Sequence, residues 1–202
     1  MKSRYIENNE LQNVLQSVAR DNKSRVFYLP LVVALETGLR VGDVIKIKRS
    51  EVEGNDINYI AQKTGKKGIA HLTSTTRKLL VENYVENSGE WLFPSPVNKG
   101  EHITRQAVWK RAKILARVSG VDPFGFSPHS MRKNFAVKTF REHGIKATQN
   151  ALQHSRIDTT EIYALSDYST GENGNKPILR KDLDLIFKLL QQFLISEMRN
   201  TN

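Results

Sequence analysis

The chain has no cysteine in its 202 residues, which excludes disulfides, a thiolate metal site and a cysteine nucleophile. Proline and glycine are sparse, at 6 and 12 residues, and apolar residues make up 39%, so a disordered or fibrous chain is excluded in favour of an ordinary globular core. No apolar run is long enough to span a bilayer and no signal-peptide core is present, so a cytoplasmic protein with no membrane partner is expected. The chain is also short of acid: 21 Asp plus Glu face 31 Lys plus Arg, a formal net charge of +10. That imbalance points to a polyanionic partner, nucleic acid ahead of an anionic membrane. The length suits a single domain over residues 1–202.

What is present is mostly helical periodicity. Leu11, Val14, Leu15 and Val18 recur at helical spacing. The apolar stretch Val26–Leu35 contains Pro30, so a helix that begins near Pro30 or kinks there is expected, ending at Gly38 as C-terminal cap. Arg40, in Thr37-Gly38-Leu39-Arg40, then falls at a sharp turn into a short new element. From Glu51 to Thr73 the period changes to two, and residues 56–62 and 68–72 read as a hairpin whose turn is Lys63-Thr64-Gly65-Lys66-Lys67. The turn lacks the Gly-x-x-x-x-Gly-Lys pattern of a phosphate loop, but its lysines suit a phosphate presented at the sheet's edge.

Further helices are expected over Ser74–Asn87 and from a Thr104 cap to Val118, with Trp91-Leu92-Phe93-Pro94 returning to the core between them. Lys110, Lys113 and Arg117 form a basic stripe on the second, suited to lie along a phosphate backbone. Ser127-Pro128 opens another helix, ended by Gly144, on which His129 and Arg132 project from one face. Asp158 and Glu161 mark the start of a helix carrying Tyr163, nine residues after His154. A tyrosine phenol, with an ordinary pKa near ~10, needs cationic neighbours to act as a nucleophile at neutral pH. A polar linker, about 167–176, leads to an amphipathic helix, about 178–198, whose seam is Leu179, Leu183, Ile186, Leu190 and Phe193. The fold class expected is α+β, mainly α-helical with a small antiparallel sheet.

Arg40 in Thr-Gly-Leu-Arg, Lys63 in a Lys-Thr-Gly turn, His129-x-x-Arg132, His154 and Tyr163 occur in an order and spacing that resembles the catalytic domain of the tyrosine site-specific recombinases, the phage integrase family. The resemblance runs from about residue 25 to 165. It implies the tyrosine recombinase catalytic-domain fold and a site made of Arg40, Lys63, His129, Arg132, His154 and Tyr163. By that resemblance Tyr163 attacks the scissile DNA phosphate, leaving a 3′-phosphotyrosyl link and a free 5′-hydroxyl. Arg40 and Arg132 grip the non-bridging oxygens, His154 hydrogen-bonds the same phosphate, His129 assists proton transfer and Lys63 protonates the departing oxygen. Lys66, Lys67, Lys110, Lys113 and Arg117 are candidate DNA contacts. No cofactor or metal is expected, because the phosphotyrosine retains the energy of the broken bond and the cations oppose the phosphate charge. The implied partner is double-stranded DNA, bound by a homotetramer on paired sites and a monomer when free, with accessory DNA-bending proteins possible. Resemblance also favours docking of the last helix on a neighbouring subunit, with packing in cis as the alternative.

Some positions depart from the family's pattern. Gln153 stands where glycine is common before the second histidine, Met131 and Lys133 flank Arg132 where Leu and His are frequent, and Asp43 replaces a common Glu. Most members carry a DNA-clamping domain ahead of the catalytic one, and only about 20 residues precede the first catalytic-domain helices here. The expectation is a chain without that clamp, either an excised catalytic fragment or a short member akin to the fimbrial-switch invertases. Two other functions compete: a type IB topoisomerase-like relaxation of DNA, and a DNA-binding module without chemistry. A zinc site on His129, His143 and His154 is the weakest reading, since no zinc-ligand spacing supports it.

Overall fold

Helix α2, Arg25–Thr37, is apolar on nearly every side, so the rest of the molecule must cover it. The computed structural model describes residues 3–20, 24–86 and 89–152. In it, helices α1 (Asn8–Arg20), α4 (Ser74–Glu86), α5 (Arg105–Val118) and α6 (Pro128–Ala151) all pack against α2. The expected apolar face of α1 is buried at Leu11, Val14, Leu15 and Val18, and α5 buries Val108, Ala112 and Leu115 on its inner side. Thr104 caps α5 as its sequence position suggested, accepting the Ala107 N–H at 3.1 Å. Leu92 and Phe93 are fully buried between α4 and α5 in the chain order.

The start of α2 excludes one of the two sequence readings, a helix beginning near Pro30. The helix begins at Arg25 and runs through the proline. Pro30 forfeits one hydrogen bond near the first turns, and the burial of Tyr28, Leu29, Leu31 and Val32 around it outweighs that loss. The far end is as expected: Gly38 takes a left-handed conformation (φ 69°), and its N–H closes on Ala34. Helix α3, Val41–Val44, follows within one turn.

The sheet is antiparallel, with strands β1 (Val52–Glu53), β2 (Asp56–Ile60) and β3 (Lys67–His71) in that order. The hairpin was legible, but β1, two residues long, was too short to show a period. Strand β3 also starts one residue early: Lys67 pairs with Ile60 instead of lying in the turn. Gly65, at φ 67°, makes the bend. Gly144 interrupts α6 as expected (φ 76°), yet the helix resumes beyond it and continues to Ala151, where only a short segment was anticipated. The Thr148 hydroxyl donates to the Gly144 carbonyl at 2.9 Å across the break. The described residues therefore form a mainly helical α+β fold with a small antiparallel sheet.

Candidate active site

Arg40 owes its position to the hydrogen bonds that close the turn before it. The Thr37 hydroxyl donates to the Val33 carbonyl (2.6 Å) and accepts from the Leu39 N–H (3.3 Å). Arg40 itself is extended (φ −68°, ψ 139°), and its carbonyl takes the first N–H groups of α3, from Asp43 at 2.8 Å and Val44 at 2.9 Å. The side chain leaves this rigid corner into a cavity of about 940 Å³.

Lys63 arrives from the hairpin, which is fastened to the same corner. The buried Asp43 carboxylate accepts the Gln62 N–H at 3.2 Å, and the Gln62 amide donates to the Gly42 carbonyl at 3.3 Å. Lys63 and Gln62 thus line the cavity that Arg40 lines.

His129 and Arg132 come from the first turn and a half of α6. Pro128 suits that position because its missing N–H has no helical acceptor there. The Ser127–Ser130 pair boxes the cap, with Ser130 Oγ accepting the Ser127 N–H at 3.2 Å. Arg132 is buried, and its guanidinium donates to two carbonyls, those of Gly38 and, at 3.1 Å, Leu152. One side chain therefore joins the turn that carries Arg40 to the end of α6, two residues before His154. Charge-assisted hydrogen bonds of this kind contribute about 1.5–3 kcal/mol each. Burial of the ring and then the Arg132 and Arg40 guanidiniums hold His129 below its ordinary value of 6.5. At pH 7 it is neutral and able to accept a proton.

That shift gives a measurable expectation. The His129 ring, followed by NMR, should titrate below pH 6.5 and move upward in Arg40→Ala, which removes one repelling cation. The sign carries to stability as well: the unfolded chain takes this proton first, so a contribution present above the ordinary histidine range is lost as pH falls through the depressed value. An Arg40→Ala midpoint unchanged or lower would remove the electrostatic argument.

Of the residues anticipated from sequence, the structure brings Arg40, Lys63, His129, Arg132, Lys110 and Lys113 to one cavity. Lys66, Lys67 and Arg117 are exposed and are not among its lining residues. Lys113 has local partners too: its ammonium donates to the Pro123 carbonyl at 2.5 Å and lies 5.2 Å from the Trp109 ring centre. His143 sits beside Glu142 at 3.8 Å, away from the cavity lining. His154, Tyr163, the linker 167–176 and the seam of the last helix lie outside the described residues.

The structure adds residues that the sequence reading passed over. Arg105, Gln106 and Trp109 share the cavity-facing side of α5 with Lys110 and Lys113, and Ser3 reaches it from before α1. The first three were within reach: Val108, Ala112 and Leu115 fix the phase of α5, and positions 105, 106 and 109 then fall together along one flank of that buried face. Among the described residues the lining holds six cations (Arg40, Lys63, Arg105, Lys110, Lys113 and Arg132) against one carboxylate, Asp43. Tyr5, Tyr28 and Tyr59 are not in the lining, and burial, then Glu7, push the Tyr5 phenol up to about 12.

Comparison with known proteins bears on fold and family. The tyrosine recombinase XerD of Yersinia pestis is 32% identical over 146 residues, 66% of this chain and 47% of the relative. XerD of Listeria innocua is 31% identical over 145 residues, 66% of this chain and 48% of that protein. The chain thus spans about half the length of the curated relatives it matches. Among solved structures, XerA recombinase superposes with a TM-score of 0.66 at 22% identity, covering 84% of this chain and 65% of that one. XerH site-specific recombinase, in a post-cleavage complex with its palindromic difH substrate, gives 0.69 at 21% identity, covering 84% and 51%. These two likenesses speak to fold. The phage integrase family model matches residues 4–170, most of the sequence, and the chain belongs to that family.

Proposed function

We propose that this chain breaks and rejoins DNA at specific sites through a 3′-phosphotyrosyl intermediate. The observation that carries the proposal is the gathering of Arg40, Lys63, His129 and Arg132 on one strongly cationic cavity. Tyr163 is the proposed nucleophile: its phenol oxygen bonds to the scissile phosphorus as the bond to the 5′-oxygen breaks. The phenol's proton passes to neutral His129, and the Lys63 ammonium gives a proton to the departing oxygen. Arg40 and Arg132 oppose the charge that builds on the non-bridging oxygens, with His154 hydrogen-bonding there too. A guanidinium suits this task because its planar fork matches phosphate oxygens and it stays charged at any working pH. One phosphoester replaces another, so rejoining is the same step in reverse and consumes no nucleotide.

The α5 side bearing Arg105, Gln106, Trp109 and Lys110 is the proposed surface against duplex DNA, with Lys66, Lys67, Lys113 and Arg117 as further backbone contacts. Assembly is inferred by likeness: XerH has been solved on its difH substrate and lambda integrase as a tetramer on a Holliday junction. A tetramer on paired sites, formed from free monomers, fits that pattern. Accessory DNA-bending proteins and docking of the last helix on a neighbour belong to the same proposal.

The test uses a pool of nicked duplexes of randomised sequence, from which adducts that survive detergent are recovered and sequenced. Adducts should form in excess chelator and converge on one site. The reason is local: six cations line the cavity proposed to hold the phosphate, and Asp43, the lining's carboxylate, is engaged by the Gln62 N–H. Absence of adduct from the wild-type chain would overturn the reading. A bridging 5′-sulfur, a better leaving group, should restore cleavage to Lys63→Ala but not to Arg132→Ala, which loses charge stabilisation of about 2.7–4 kcal/mol. Equal failure of both variants on the sulfur substrate would deny Lys63 the role of acid.

A further inference from the structure

Residues 3–6 have no regular structure, yet hydrogen bonds tie them to the loop before α6 and to α6 itself. Ile6 is fully buried, and both polar groups of its backbone go to one side chain, the Asn134 amide of α6. The Ile6 N–H donates to Asn134 Oδ1 at 3.0 Å, and Asn134 Nδ2 donates to the Ile6 carbonyl at 2.7 Å. Around this pair are four more ties. The Arg4 N–H donates to the Gly125 carbonyl at 3.0 Å, and the Arg4 guanidinium forks onto Glu10 at 2.7 and 2.8 Å. Lys133 Nζ donates to the Ser3 carbonyl at 3.3 Å, and the Ser127 hydroxyl meets Ser3 Oγ at 3.2 Å. Ser3, Gly125 and Ser127 all line the catalytic cavity beside His129.

Three residues that meet this segment, Ser127, Lys133 and Asn134, bracket His129 and Arg132 in the chain. The Gly125 carbonyl also accepts the Ser130 hydroxyl at 3.0 Å, so the segment and the cap of α6 share an acceptor. A buried amide matched to both sides of one peptide fixes register as well as proximity: a slip of one residue would leave four polar groups unsatisfied. Apolar packing at position 134 could fill the same space but would not resist such a slip.

We infer that residues 3–6 form a strap that sets the first turns of α6, and that Asn134 is a positioning residue for the chemistry proposed above. The strap acts through His129 and Arg132 and need not touch DNA. The inference rests on that proposed function for its catalytic consequence, while its structural half is readable without any DNA.

Two full-length variants test it. Asn134→Leu removes both Ile6 bonds at similar volume; Arg4→Met removes the Glu10 fork at a half-exposed site but keeps the stem that packs on Gly125. The measurements are the single-turnover rate of adduct formation, affinity for a one-site duplex, and the NMR titration of His129. The folded variants should bind DNA nearly as well as wild type but form adduct about ten- to a hundred-fold more slowly, the effect expected of a small misplacement. The His129 midpoint should rise toward 6.5 as its turn moves away from Arg40 and Arg132 or gains water. Wild-type cleavage rates and an unmoved His129 midpoint in a folded variant would overturn the strap. If Asn134→Leu fails to fold, Arg4→Met carries the decision by the same readouts. A wild-type chain that makes no adduct would defeat the proposed function instead, and the His129 titration would still judge the strap.

Discussion

Tyr163→Phe should bind its DNA site but form no detergent-resistant adduct, whereas Tyr168→Phe should form it at near wild-type levels. The expected loss is complete because no other group substitutes for the atom that becomes bonded to phosphorus. Spacing supports the assignment: Tyr163 follows His154 by nine residues, and the Leu152 carbonyl just before His154 is held by Arg132 at 3.1 Å. The end of α6 is thereby tied to the cavity to which the proposed nucleophile must come. Three other tyrosines offer little competition, since Tyr5, Tyr28 and Tyr59 are absent from the cavity lining and the Tyr5 phenol is pushed up to about 12. Adduct formation by Tyr163→Phe would remove this assignment. Adduct formation by wild type alone also excludes a binding module without chemistry.

Gly38→Ala should be strongly destabilising although it adds a single methyl group. Two independent costs meet at this position. Gly38 is left-handed at φ 69°, which costs a residue with a Cβ about 1–2 kcal/mol. A Cβ there would also enter the Phe135 ring, 2.5 Å from Cε1 and 2.9 Å from Cγ, and overpacking of this kind costs about 1–3 kcal/mol. A combined loss of roughly 2–5 kcal/mol lowers the melting temperature by roughly 4–20 °C in a chain of this size. Cleavage should fall further than DNA binding, because Gly38 supplies the carbonyl that anchors Arg132 and stands two residues before Arg40. Adding Phe135→Leu should recover the steric part and leave the backbone part. A melting temperature equal to wild type in Gly38→Ala would show that neither cost is real.

The sequence was informative wherever chemistry is local. The cap at Gly38, the Thr104 side-chain cap and the apolar faces of α1 and α5 each depend on neighbours within one or two turns, and all are found where the pattern placed them. Arg40, Lys63, His129 and Arg132 could be singled out by type, order and spacing, and local geometry brought only His129 and Arg132 to one face; the convergence of Arg40 and Lys63 with them is tertiary. What stayed hidden is tertiary. The strap has no periodicity, and its partner Asn134 looks like an ordinary polar residue on a helix until Ile6 is placed against it. The two-residue β1 was missed for want of length. Gln106 and Trp109 were missed because basic residues alone were used to find the surface of α5, and Arg105 because it lies outside the stripe of Lys110, Lys113 and Arg117.

The ties that hold the cationic cavity together connect very distant parts of the chain. Arg132 reaches Gly38 across 94 positions, and Asn134 reaches Ile6 across 128. Contacts of such separation are reached only after the greatest loop-closure cost has been met, whereas single helices form from neighbours. We therefore expect the cavity to form late in folding, so that substitutions at Arg132 or Asn134 speed unfolding and leave the folding rate nearly unchanged. A chain that has made its helices but not yet closed at α6 holds Arg40 and Arg132 on unconnected segments, and cannot set two guanidiniums on one phosphate. On the proposed function, the capacity to break DNA is withheld until that closure is made.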